Sequence, residues 1–250
     1  MLGRIIPALL FISFLHTAKA QTSIQTDRPD QTETPFTVPS GYFQAENGFS
    51  YENILKGFTS VAHPSVLWKY GVSKNFEFRL ITELVSEKEN AKTIIGFSPV
   101  LVGFKVNISE EKGFLPMTSF IGHIAIPKLA SPDFKASYYA PSFRFTMQHT
   151  LSNRISLGYN LGAEWDGETP EPKFIYTLTT GFSLTDKLGS YIEMYGFVPQ
   201  KNTADHLIDG GFTYLISNNI MIDISGGFGI TDNAPKNYGA IGFSYRFNTK

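Results

Sequence analysis

The 250-residue chain contains no cysteine, very little net charge and, beyond its first twenty positions, no apolar run long enough to cross a membrane as a helix. Without thiols there can be no disulfide, no thiolate metal site and no cysteine nucleophile. Without a run of ~20 apolar residues the body of the chain cannot span a bilayer as an α-helix. A formal net charge of −1 gives no electrostatic case for nucleic acid or for anionic lipid as a partner. Aromatic residues are abundant instead, with 22 Phe and 12 Tyr.

The first twenty residues have the form of a secretory leader. Arg4 supplies the positive charge, Ile5 to Leu15 the short apolar stretch, and Ala18-Lys19-Ala20 an A-x-A cleavage site before Gln21. Residues 1–20 are therefore expected to be a signal peptide, and the mature protein to be exported. Loss of Arg4 and Lys19 leaves 19 basic against 22 acidic residues, a formal net charge of −3.

Residues 21–41 show no periodicity and are interrupted by Pro29, Pro35 and Pro39, so they read as an arm ahead of the folded body. After Gly41 the pattern turns to period two. In residues 154–166 Ile155, Leu157, Tyr159, Leu161, Ala163 and Trp165 alternate with Arg154, Ser156, Gly158, Asn160, Gly162, Glu164 and Asp166. An apolar face against a small, polar face is what lipid outside and water inside require of a strand. About twelve such segments follow one another: 42–51, 62–72, 76–86, 94–107, 115–126, 136–148, 154–166, 174–184, 190–198, 206–216, 220–230 and 239–247.

Their connections fall into two classes. Tight turns are expected at 73–75, 110–113, 151–153, 185–189 and 217–219, and longer polar loops at 52–61, 87–93, 127–135, 167–172, 199–205 and 231–237. Short inner turns and longer outer loops are characteristic of outer-membrane barrels, in which a closed sheet pairs every backbone group within lipid. The sequence thus predicts an all-β, twelve-stranded, antiparallel, up-and-down transmembrane β-barrel over residues 42–250, with both termini and the 21–41 arm on the periplasmic side of the bacterial outer membrane. The end Tyr245-Arg246-Phe247 resembles the aromatic signal read by the barrel-assembly machinery, which is an expected partner together with outer-membrane lipid and a small-molecule solute.

Alternation nominates the interior charges: Glu46, Glu77, Arg79, Glu83, Arg144, Arg154, Glu164, Glu193, Asp223 and Arg246. Mixed signs on opposed walls either close on one another as salt bridges or set a transverse field at a constriction. The arm carries four more charges, Asp27, Arg28, Asp30 and Glu33. It is either a solvated linker or a plug paired with the interior charges. Its ~20 residues reach up to ~66 Å when extended, more than the ~25 Å height of a barrel's apolar band.

The run Thr26-Asp27-Arg28-Pro29 through Glu33-Thr34, followed by Gly41-Tyr42-Phe43-Gln44-Ala45-Glu46-Asn47-Gly48, resembles the opening of the "Putative MetA-pathway of phenol degradation" family of outer-membrane proteins. The resemblance implies a barrel associated with uptake of aromatic or other small hydrophobic compounds. An enzyme is not expected. His63, His123, His149 and His206 are scattered, and Ser119 four residues before His123 carries no sign of activation. No His/carboxylate spacing suggests a metal, and no cofactor is expected. The function inferred is passive or facilitated passage of a small molecule through the outer membrane; the alternative is a structural or partner-binding barrel with a closed lumen.

Overall fold

The computed structural model describes residues 23–55 and 57–250, so the expected signal peptide lies outside the described residues. The described residues form thirteen strands: β1 (Tyr42–Leu55), β2 (Phe58–Ser73), β3 (Phe76–Glu89), β4 (Lys92–Phe97), β5 (Val100–Ser109), β6 (Met117–Ile126), β7 (Ala140–Ser152), β8 (Ile155–Glu164), β9 (Lys173–Ser183), β10 (Leu188–Pro199), β11 (Asp205–Ser217), β12 (Ile220–Gly229) and β13 (Asn237–Asn248). Consecutive strands pair antiparallel, except that β4 and β5 both pair with β3, and β1 pairs with β13 from Tyr42↔Asn248 to Asn53↔Asn237, which closes the sheet.

β4 and β5 are two halves of one stave. β3 pairs with β4 through Leu84 to Glu89 and with β5 through Phe76 to Ile81. The break falls at Ser98-Pro99, where proline has no N–H to give the ladder. The barrel is therefore twelve-stranded and closed, and the single strand expected over 94–107 is longer and interrupted.

Two of the expected outer loops are corrected. Residues 52–61 and 87–93 are not loops: β1 and β2 are joined at 56–57 and β3 and β4 at 90–91. Polar residues such as Glu52, Asn53, Glu87 and Lys88 look like loop composition. At the far end of a long hairpin, however, they stand clear of the apolar band and can continue the ladder in water. Real loops remain at 127–139, which holds two 3-10 turns (Pro127–Leu129 and Pro132–Phe134), and at 165–172, 200–204 and 230–236. On the other side, the 110–113 turn widens to 110–116.

The exterior is apolar along the staves. Phe78, Leu161, Ile192, Ile224, Phe228 and Ile241 are each more than half exposed. At the end where β1 begins and β13 ends the outward aromatics are contiguous: Phe43 lies against Phe247 and Trp68, and Phe104 against Phe76 and Phe120, with ring centroids 5.4–6.0 Å apart. The inverse holds inside, where Lys69, Glu77, Lys105, Gln44, Glu46, Glu193, Asn160 and Thr146 are among the most deeply buried side chains. A polar centre within an apolar skin is the reverse of a water-soluble domain, and it is the pattern that a hydrocarbon surround demands.

Candidate functional site: an arm inside the barrel

The arm enters the lumen at the end where β1 begins and β13 ends. Ile24 N donates to Asn218 O in the β11–β12 turn (2.8 Å), and the chain leaves where Thr37 Oγ1 donates to Lys74 O (2.7 Å) and Gly41 N to Gly71 O (2.8 Å), beside the β2–β3 turn. Between these points residues 26–36 loop through the interior and touch most of the wall.

The first contact set lies on β1, β2, β3 and β5. The Asp27 carboxylate receives Lys69 Nζ (2.9 Å), Arg79 Nη1 (3.0 Å) and Lys105 Nζ (2.7 Å). Its backbone N–H and that of Arg28 donate to Glu46 Oε2 (2.9 and 3.2 Å), and Glu46 also forms an ion pair with Lys69. Arg79 further donates to Glu33 (2.6 Å) and Glu77 (3.2 Å). Glu77 in turn accepts the backbone N–H of Val38 (2.6 Å).

The opposite wall holds the remainder of the arm. Arg28 Nη2 donates to Asp223 on β12 (3.0 Å). Glu193 on β10 accepts Gln31 N (2.7 Å), Thr32 N (2.8 Å) and the Thr32 hydroxyl. Arg144 on β7 donates to Gln31 O (3.0 Å). Glu33 N donates to Asn160 Oδ1 (2.8 Å) while Asn160 Nδ2 donates to Glu33 O (3.0 Å), and Ser119 Oγ donates to Pro35 O (2.6 Å). An irregular, proline-broken segment can lie inside a sheet this way because its backbone polar groups find side-chain partners.

Most of the nominated interior charges do face inward: Glu46, Glu77, Arg79, Glu193, Asp223 and Arg246 are buried. Glu83 is half-buried and accepts Ser98 Oγ (2.9 Å). Glu164 lies half-buried at the last position of β8, away from the arm. Arg246 points toward the terminal end, where it donates to Asn219 Oδ1 (3.2 Å from Nε) and Asn218 O (3.2 Å) and lies over the Tyr42 ring. Arg154 is a correction: it is exposed in the two-residue β7–β8 turn, because Ser152↔Ile155 closes that hairpin one residue later than alternation implies.

Lys69 and Lys105 were not among the sequence-nominated residues, although they are central here. Both lie between aromatic or apolar neighbours, Trp68 and Tyr70 or Phe104 and Val106, which disguise a lumen position as an apolar run. The inward set Gly103, Lys105, Asn107 was the available signal. Asp209 on β11 was missed similarly; it accepts the Tyr238 and Tyr191 hydroxyls. Gly227 of β12 makes room for this group: a Cβ there would lie 2.5 Å from Asp209 Cβ and 2.7 Å from the Tyr238 ring.

Ser119 and His123 do not form a catalytic pair. Ser119 commits its proton to Pro35, and His123 Nε2 is buried without a hydrogen-bond partner among the described residues. At the loop end, Tyr138, Tyr139, Trp165, Glu168 and Pro170 line a cleft of about 540 Å³. The backbone N–H groups of Thr169 and Glu168 (2.9 and 2.8 Å) hold the Asp166 carboxyl beside it below the usual carboxylate range.

A closed twelve-stranded barrel, apolar outside and charged within, defines the class: a transmembrane β-barrel whose lumen holds its own N-terminal arm. The chain belongs to the family described as "Putative MetA-pathway of phenol degradation", whose model matches residues 26–247. Among curated proteins none matches the sequence. Of solved structures, the COG4313 outer membrane channel from Pseudomonas putida F1 is similar at 10% identity and TM-score 0.65, over 88% of this chain and 99% of that one. The NanC porin (9% identity, TM-score 0.55, 81% and 98%) and the transport unit of the autotransporter AIDA-I from Escherichia coli (10%, 0.51, 82% and 90%) share the architecture. At such identities the likeness is one of fold.

Proposed function

We propose that the protein is an outer-membrane channel for a small solute and that residues 23–41 are its plug, closing the lumen from the periplasmic side. The observation that carries this reading is the position of Asp27: an arm carboxylate deep inside the barrel, held by three cations from three staves. A solvated linker would have no reason to bury Asp27 and to pair the half-buried Arg28 and Glu33 with wall residues, since a buried charge must replace its water with a protein partner.

Twelve strands enclose a lumen wider than a side-chain-filled eight-stranded barrel and narrower than a sixteen-stranded aqueous porin. That bore suits a small molecule. The family description and the exposed Tyr138 and Tyr139 beside the half-buried Trp165 of the loop-end cleft support a solute with an apolar or aromatic body. The lipid-facing belt supports the outer membrane as the site of action, and outward Phe247 supports assembly by the barrel machinery. No step in this reading is catalytic.

Planar-bilayer recording tests the plug. A variant lacking residues 24–38, refolded to the wild-type circular dichroism spectrum, is expected to show a single-channel conductance several-fold above wild type. Equal conductances would remove the plug from the account.

A further inference from the structure

Lys69, Arg79 and Lys105 present more positive charge than the wall neutralises. Their side chains are at most 1% exposed. Among the described residues the strands bring two carboxylates to this cluster, Glu46 on Lys69 and Glu77 on Arg79. Three buried cations against two carboxylates leave a surplus of one, which low-dielectric surroundings tolerate poorly. The arm supplies the balancing charge: Asp27, which touches all three cations, and Glu33, which pairs with Arg79 alone.

The contact geometry is that of a bound ligand. Oδ1 of Asp27 receives Lys105, and Oδ2 receives both Lys69 and Arg79, so the two oxygens are engaged separately by charged donors. We infer that these three residues form a carboxylate-binding site in the lumen, filled by Asp27 in the closed chain and taken by a small organic monocarboxylate when the arm withdraws. The withdrawal rests on the plug reading above; the affinity of the wall for a carboxylate does not. A neutral alcohol lacks the charge, and a halide lacks the second oxygen that divides the donors. Combined with an aromatic cleft at the loop end, the site selects organic acids with an apolar body. Asp27 is tethered and so competes at an effective concentration of order millimolar or above. A free acid therefore fills the site once it approaches that range.

Chemical complementation in the full chain is the test. Asp27→Ala removes the carboxylate and leaves the cations in place. Titration calorimetry with sodium acetate should show saturable binding to Asp27→Ala. Binding should be at least about tenfold weaker to wild type and to Asp27→Ala/Lys105→Met, tenfold corresponding to about 1.4 kcal/mol. Sodium chloride at equal ionic strength should give no saturable heat. Absence of acetate binding to Asp27→Ala, or binding that persists unchanged without Lys105, overturns the site. If Asp27→Ala fails to refold in chloride, refolding in acetate becomes the readout: recovery of folded barrel in acetate supports the site, and equal failure in both salts overturns it. Acetate binding with no conductance change in the 24–38 deletion would sink the plug and leave the site standing; the opposite pair of results would do the reverse.

Discussion

Glu193 shows how much of the arm's hold depends on single side chains. One carboxylate receives the backbone N–H groups of Gln31 and Thr32 and the Thr32 hydroxyl, at the far point of the loop from Asp27. Hydrogen bonds to a charged group contribute about 1.5–3 kcal/mol, so Glu193→Ala is expected to speed amide hydrogen exchange at Gln31 to Glu33 by tenfold or more. Glu193→Gln, which keeps one acceptor oxygen, should have a smaller effect. Exchange unchanged in both variants would mean that the arm tip is held by something else. At this same scale alternation located most of the inward charges, since a period-two side chain faces the lumen wherever its strand is regular. Arg154 shows the limit: a position one residue inside or outside a hairpin turn changes from wall to surface, and local sequence does not determine where the ladder closes.

The arm and β2 meet so closely that a single missing side chain makes the contact possible. A Cβ on Gly71 would stand 2.2 Å from the Pro39 carbonyl oxygen and 2.3 Å from that of Val38. Backbone carbonyls cannot rotate away as a side chain would. Gly71→Ala is therefore expected to push the exit leg of the arm off the wall, at a cost of about 1–3 kcal/mol, and to raise conductance. Gly239→Ala is the control, because a Cβ there meets nothing within 4 Å. Similar conductance in the two variants would count against the close packing of the exit leg. Element boundaries were legible where apolar residues alternate, as in β8 and β12. They were misread where strands run beyond the apolar band, as in the β1–β2 and β3–β4 hairpins, because a strand in water needs no greasy face. The Ser98-Pro99 break was written in the sequence as a proline, but what it divides became apparent from the two separate pairings with β3.

The whole molecule is arranged for a hydrocarbon exterior. Leu161 projects from the middle of β8 and is 56% exposed. Arginine at such a position costs about 2–4 kcal/mol when the surroundings are lipid. The same exchange on a water-exposed face would cost well under that. Leu161→Arg should accordingly lower the equilibrium unfolding free energy in lipid vesicles by an amount in this range, and a change below about 0.5 kcal/mol, typical of an exposed surface site in water, would argue that lipid does not cover this face. The interior obeys the opposite rule, with Lys105 and Glu77 fully buried yet paired.

Sequence alone determined the class of fold, because period-two alternation repeated about twelve times, with turns between, admits few ways of satisfying the backbone. It also marked the arm, through prolines and charges that fit neither helix nor sheet. It left the arm's position open between linker and lumen, since the partners of Asp27 are separated from it by 42, 52 and 78 residues. Only closure of the barrel brings Lys69, Arg79 and Lys105 to one point. A surplus charge shared among three strands is a property of their register, which no local stretch of sequence contains.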